Sequence, residues 1–79
     1  MTGPRVRPVG QVTDRQREVL GLLADGLTVA AIAAQLGISI HTAKAHVEGV
    51  RAALGARNRA HAVLIGCQLG LLPVGGGRG

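Results

Sequence analysis

The side chains best suited to chemistry are three histidines and a single cysteine. His41 and His46 are five positions apart, which on a helix separates them by roughly 140°, and no second thiolate or carboxylate is fixed beside them. A nucleophilic pair of Cys67 and His61 fails on the same geometry and lacks a pocket. The sequence therefore predicts no catalytic residue, no metal site and no cofactor. Cys67 is expected to be a buried, inert thiol.

Positive charge is the second chemical feature of the chain. Nine Lys or Arg against four Asp or Glu give a net charge of +5, and Phe, Tyr and Trp are all absent. Without aromatic rings the chain cannot stack the bases of a single strand, but its arginines can bind phosphates. Residues 13–38 carry two basic and three acidic side chains, whereas residues 39–72 carry four basic and one acidic. The second half is therefore the expected anion-binding part.

The length of 79 residues fits one small domain. Glycines and prolines near both ends predict a flexible basic arm over residues 1–12, a folded domain over 13–72 and a flexible Gly-rich tail over 73–79.

The longest apolar stretch, 62–74, is shorter than the roughly 20 residues that span a bilayer. With a lone cysteine and no secretory signal, the sequence predicts a cytoplasmic protein without a membrane partner.

Four segments each open on a helix-capping side chain and close on or near a glycine, which predicts an all-α fold with four helices. The predicted caps are Thr13 with Gln16, Thr28, Ser39 and Asn58, and the predicted stops are Gly26, Gly37, Gly55 and Gly70. The expected inward-facing residues are Val19, Leu20, Leu22, Leu23, Leu27, Ile32, Ala33, Leu36, Ile40, Ala43, Val47, Val50, Leu54, Ala62, Val63, Gly66 and Leu69.

The second and third predicted helices, joined by Gly37-Ile38-Ser39, have the form of a helix-turn-helix. Gly37 can take the left-handed conformation that reverses the chain, and Ile38 is expected to fill the corner. With its apolar stripe turned inward, the third helix, about residues 40–54, presents an opposite polar face. Because a helix about 10 Å across fits the major groove, this face is predicted to meet double-stranded DNA.

A series of short motifs follows in order along residues 13–72: Val12-Thr-Asp-Arg-Gln-Arg-Glu-Val-Leu20, Leu22-Leu-Ala-Asp-Gly-Leu-Thr28, Ile32-Ala33, Leu36-Gly-Ile-Ser39, Thr42-Ala-Lys-Ala-His-Val47, Leu54-Gly55, Asn58-Arg59-Ala60 and Ala62-Val63. Together these motifs resemble the LuxR-type (GerE-type) helix-turn-helix DNA-binding domain of bacterial transcription regulators. The resemblance implies that the third helix reads the major groove and that the fourth pairs two copies on a two-fold symmetric site. Region 4 of sigma factors is a neighbouring interpretation, but the Asn58-Arg59 start of the last helix favours the LuxR type.

The candidate DNA contacts follow from the exposed face and from this resemblance. The predicted base-facing residues are Lys44, Ala45, Glu48 and His41. The residues predicted to lie near the sugar-phosphate backbone are Thr28, Ser39, Thr42, Arg51, Arg59 and His46. For His46, packing beside the core is an equally good interpretation.

The fourth helix, about residues 59–70, is the predicted dimerisation element. Its outward face is expected to carry His61, Leu64, Ile65 and Gln68. Two adjacent exposed branched aliphatics in so small a domain favour a symmetric contact between two copies. A homodimer would read half-sites about one turn of DNA apart, and Ile65→Asp is expected to yield a monomer.

The functional prediction is a stand-alone, nucleoid-associated transcription regulator that occupies an operator and helps or blocks RNA polymerase. Three departures from the family pattern qualify it: Val29-Ala30-Ala31 replaces polar residues, Glu48 stands where a basic or polar residue is common, and Gly49 interrupts the reading helix. The first two favour an alternative, a protein-interaction module that pairs through helix 4 with longer LuxR-type regulators. The segment Pro4-Arg-Val-Arg-Pro8 is interpreted as an electrostatic arm, because Val6 replaces the central glycine of an AT-hook.

Overall fold

The computed structural model describes residues 12–72, which form four α-helices and no strand within that range. The helices are α1 (Asp14–Ala24), α2 (Val29–Leu36), α3 (Ile40–Leu54) and α4 (Arg59–Gln68). The all-α, four-helix prediction is confirmed. The predicted arm and tail lie outside the described residues, except for Val12, which was assigned to the arm and is half-buried against the core.

Each helix begins at its predicted cap. In every case the cap side chain accepts a hydrogen bond from the backbone N–H three residues later, which satisfies one of the donors that a helix N-terminus leaves without a partner. The four bonds run from Gln16 N to Thr13 Oγ1 (3.0 Å), from Ala31 N to Thr28 Oγ1 (3.1 Å), from Thr42 N to Ser39 Oγ (3.0 Å) and from His61 N to Asn58 Oδ1 (2.8 Å). These short-range bonds explain why the helix starts could be predicted from sequence.

The turn between α2 and α3 depends on Gly37. Its φ of 69° lies in the left-handed region, which lets the chain reverse within the three residues that separate the helices. The turn is closed by a hydrogen bond from Ile38 N to Ala33 O at 3.0 Å. Ile38 is half-buried and packs on the core below the turn, as predicted.

The core consists of two hydrophobic clusters on either side of the α1–α3 pair. The α2 cluster contains Val19, Ile32, Ala33, Ala43 and Val47. The α4 cluster contains Leu20, Val50, Ala56, Ala62, Leu71 and Leu72. The neighbours Val19 and Leu20 on α1 thus face different clusters, and so do Val47 and Val50 on α3. As a result α3 is held by α1, α2 and α4 together.

The apolar stripe was predicted wrongly at two helix ends. Ile40, the first residue of α3, is 55% exposed, and Leu69, just after α4, is 47% exposed. No neighbouring helix covers these end positions. Leu71 and Leu72 enter the core instead, because Gly70 has a φ of 79° and turns the chain back, with Leu71 N donating to Gly66 O at 2.8 Å.

Candidate nucleic-acid interface

The solvent side of α3 is the surface that the fold leaves available for a partner. Ala43, Val47 and Val50 are at most 1% exposed and turn toward the two clusters. On the other side, the four predicted base-facing residues are all exposed: His41, Lys44, Ala45 and Glu48. Because three helices pack behind α3, these side chains project from a rigid support rather than from a loop.

Lys44 provides a free positive charge on this face. The ion pairs within residues 12–72 join Arg15 to Glu18 and Arg51 to Glu48. The Lys44 ammonium therefore has no acidic partner among the described residues. Three donors on a flexible stem suit guanine O6 and N7 or a phosphate oxygen.

Hydroxyl groups are concentrated at the N-termini of α2 and α3. Ser39 Oγ accepts from Thr42 N and also donates to Thr42 Oγ1 at 3.0 Å. Thr28 Oγ1 accepts from Ala31 N, which leaves its own hydrogen free to donate. The positive end of a helix dipole favours an anion at these positions. The caps therefore hold the hydroxyls of Thr28 and Thr42 where they could donate to phosphate oxygens, whereas the hydroxyl hydrogen of Ser39 is already donated to Thr42 Oγ1.

Arg51 is engaged within the chain rather than free. Its Nε lies 3.0 Å from Glu48 Oε1, and its Nη1 donates to Ala56 O at 2.7 Å. The Arg51 side chain is 31% exposed, whereas the Glu48 side chain is 59% exposed. Two of the guanidinium donors that the sequence assigned to DNA phosphates are thus occupied by the protein itself.

Two other predicted contacts, Arg59 and His46, and one cation that the motifs did not single out, Arg57, are at least partly exposed. Arg59, the first residue of α4, is exposed and has no ion pair within the described range. His46 is half-buried on α3, so part of its ring is available to a partner. Arg57, in the loop before α4, is also an exposed cation without an acidic partner in residues 12–72. The charge count of the second half included Arg57, but no motif singled it out.

Two of the four residues predicted on the outward face of α4, His61 and Ile65, are half-buried. Leu64 is 53% exposed and Gln68 is exposed. His61 is half-buried, and its Nδ1 accepts from Arg57 N at 3.0 Å. Ile65 is half-buried against the α4 cluster, so the prediction that it is exposed was wrong. The reason is helical spacing: Ile65 follows the buried Ala62 by three positions, which places both on one face.

The burial of Cys67, which was considered for catalysis, differs from its prediction. Cys67 is half-buried, not buried, and packs against the α4 cluster. Within residues 12–72 no group of three or more His, Cys, Asp or Glu side chains could hold a metal ion. In the same range no helix is long and apolar enough to cross a membrane.

Most of this chain is similar in sequence to known proteins. SgaR of Hyphomicrobium methylovorum, a probable transcriptional regulatory protein, is 45% identical over 58 residues, which cover 73% of this chain and 28% of SgaR. YdfI of Bacillus subtilis, a transcriptional regulatory protein, is 39% identical over 64 residues, which cover 81% of this chain and 30% of YdfI. The chain thus spans under a third of the length of these relatives.

A solved structure and a family pattern agree with these relatives. The structure of the transcription factor GerE matches with a TM-score of 0.74 and 33% identity, covering 80% of this chain and 94% of the GerE chain. The pattern of the bacterial regulatory proteins, luxR family, matches residues 11–65. The four-helix fold, its caps and these matches place the chain in the luxR family of bacterial regulatory proteins.

Proposed function

We propose that this domain binds specific sites on double-stranded DNA and regulates transcription, with α3 in the major groove. The observation that carries the proposal is the exposed row on α3, formed by His41, Lys44, Ala45 and Glu48 on the side opposite the buried stripe. An α-helix fits the major groove, where each base pair presents a distinct pattern of donors and acceptors. The names of SgaR, YdfI and GerE as regulators or a transcription factor support the same function.

Contacts to phosphates would fix the position of α3 on the duplex, since such contacts provide much of the affinity and little sequence information. We assign this role to the hydroxyls of Thr28 and Thr42, the latter oriented by Ser39, and to the guanidinium of Arg59, which has no ion pair within residues 12–72. Lys44 is assigned to a base. His46 is an additional neighbour of the duplex through the exposed part of its ring.

The test is selection from a random-sequence duplex library, followed by titration of the enriched site at two salt concentrations. A two-fold symmetric motif and a salt slope corresponding to several phosphate contacts would support the proposal. Lys44→Ala should weaken binding by about 1–3 kcal/mol. Arg17→Ala is the matched control, because Arg17 is an exposed cation on α1 that has no ion pair within the described residues. Equal losses for the two variants would contradict a base contact by Lys44.

We also propose that two copies pair through α4 on the DNA. Leu64 supplies the exposed apolar centre of this face, and Gln68 follows one helical turn later. Leu64→Asp should lower the sedimentation mass of the complex with the symmetric site and weaken binding to that site, with an unchanged melting temperature of the protein at low concentration. Because Ile65 is packed on the core, Ile65→Asp would damage the fold and cannot isolate the contact. An unchanged mass and unchanged affinity for Leu64→Asp would contradict dimerisation.

Regulation would follow from occupancy of the operator, which helps or blocks RNA polymerase according to where the site lies. A template carrying the selected motif at different distances from a promoter tests this in a transcription assay. Transcription that is unaffected at every position would contradict the regulatory role. If two copies still paired through α4 while DNA binding was absent, the alternative of a protein-interaction module would replace the proposed regulatory role.

A further inference from the structure

We infer that Glu48 reads a cytosine in the operator and that Arg51 is the positioning residue that orients it. The inference rests on the proposed function, because it assigns a base to one residue of the α3 row. Glu48 is exposed on that row, and a carboxylate group offers only acceptors to a base. Among the major-groove edges, cytosine N4 and adenine N6 are donors and guanine presents two acceptors. Adenine sets its N7 acceptor beside N6, where it would repel the second carboxylate oxygen, so cytosine is the favoured partner.

A free carboxylate on a DNA-reading helix would be repelled by phosphates, and the structure shows how this one is compensated. Glu48 Oε1 lies 3.0 Å from Arg51 Nε, one helical turn away. The neighbouring positive charge offsets the negative charge of Glu48 locally. Oε2 has no partner within residues 12–72, so it remains available as an acceptor.

Arg51 is itself held in place, which makes it a fixed support for Glu48. Its Nη1 donates to Ala56 O at 2.7 Å, and Ala56 N donates to Arg51 O at 3.0 Å. This reciprocal pair closes the C-terminal turn of α3, and Ala56 is 4% exposed in the α4 cluster. An exposed ion pair usually contributes little, because two mobile side chains must be ordered. Here the bond to Ala56 already orders the guanidinium, so only Glu48 loses freedom.

Selection from the random library tests the base that Glu48 reads. The wild-type motif should contain one symmetric pair of positions with about tenfold preference for cytosine, within the range of a direct base contact. Glu48→Gln should change that preference to adenine, since an amide can both accept from N6 and donate to N7. Glu48→Ala should leave the position without preference and the rest of the motif intact.

A double-mutant cycle tests the role of Arg51. In the Glu48→Ala background, adding Arg51→Met should change affinity no more than adding Arg17→Met, since Arg51 would act through Glu48. A phosphate contact by Arg51 predicts instead a further loss in that background and a salt slope lower by about one. In the wild-type background, Arg51→Met should reduce the cytosine preference to about twofold or threefold while other positions keep theirs.

Loss of fold is monitored by circular dichroism, and Arg51→Gln replaces Arg51→Met if helical content falls. A wild-type motif that no Glu48 variant alters would overturn the inference while leaving the proposed function standing. A further loss on adding Arg51→Met to Glu48→Ala would overturn the positioning role. Wild-type protein that selects no motif at all would contradict the proposed function and this inference with it.

Discussion

Replacement by alanine is expected to change the free energy of unfolding in opposite directions at two helical glycines, Gly49 of α3 and Gly66 of α4. In an open helix, alanine is more favourable than glycine by about 1 kcal/mol, so the surroundings of the new methyl group decide the sign. A Cβ at the buried Gly66 of α4 would lie 2.7 Å from Leu20 Cδ2 and 3.2 Å from Leu72 Cδ1, where ordinary contacts begin at 3.4 Å. A Cβ at Gly49 of α3 would lie 2.8 Å from Gln16 Nε2.

The cost at Gly66 comes from a core that cannot yield. Leu20 is 0% exposed, and Leu72 is 7% exposed in the same cluster. Overpacking of this kind costs about 1–3 kcal/mol, and the upper part of that range applies because two leucines obstruct the methyl group. After the helix-propensity gain, Gly66→Ala should lose about 1–2 kcal/mol of unfolding free energy. For a domain of this size the melting temperature should fall by about 4–16 °C.

The cost at Gly49 is smaller, because the obstructing atom is the end of a flexible side chain. Moving the Gln16 amide sacrifices the exposed bond from Thr13 N to Gln16 Oε1, which is 3.2 Å long and contributes about 0.5 kcal/mol. Gly49→Ala should therefore raise the unfolding free energy by about 0.5 kcal/mol. In a Gln16→Ala background, where no amide obstructs the methyl group, the gain should rise to about 1 kcal/mol.

Thermal and urea unfolding followed by circular dichroism at 222 nm measure both variants. Protein concentration must be equal throughout, since association changes apparent stability. Two outcomes would refute the explanation that the surroundings of the added methyl group decide the sign. One is a Gly66→Ala variant as stable as the wild type, and the other is a Gly49→Ala variant that loses as much stability as Gly66→Ala. DNA affinity should be retained by Gly49→Ala, because the added methyl group strengthens α3 without changing its exposed row.

Three further predictions concern the turn, the cap and the arm. Ser39→Ala should lower stability by about 1 kcal/mol, seen as a lower urea midpoint with an unchanged slope, and an unchanged midpoint would argue against capping. Gly37→Ala should cost about 1–2 kcal/mol through its φ of 69° alone, since nothing lies within 4 Å of the new Cβ. Gly37→Asn should cost less, and equal costs would contradict this origin. Removing residues 1–10, and with them Arg5 and Arg7, should reduce the salt slope of DNA binding by up to about two phosphate contacts; an identical slope would exclude the arm from the interface.

Local interactions explain why the helices could be predicted. Each cap bonds a backbone group three residues away, and the turn glycine Gly37 needs no distant partner for its positive φ. The 3.6-residue period likewise placed Ala43, Val47 and Val50 inside and Lys44 and Glu48 outside. These features depend on residues within a turn or two of one another.

Errors occurred where burial depends on elements that are distant in sequence. Ile65 was assigned to the outer face of α4, but the cluster formed with α1 and α3 covers it in part. Leu71 and Leu72 were not predicted in the core, because only the packed helices create the site that they fill. Gly49 was interpreted as a weakness of α3, and only the packed structure shows that the Gln16 side chain of α1 occupies the space beside it.

The sequence by itself determined the four helices, the caps at which they begin, the helix-turn-helix and the identity of the residues on the outer row of α3. Only the tertiary structure decided which apolar side chains are covered and which charges are free. It left Lys44 and Arg59 without an acidic partner in the described range and tied Arg51 to Glu48 and Ala56. The reason is that capping and periodicity act within one helix, whereas burial and charge pairing depend on how the helices and loops pack together.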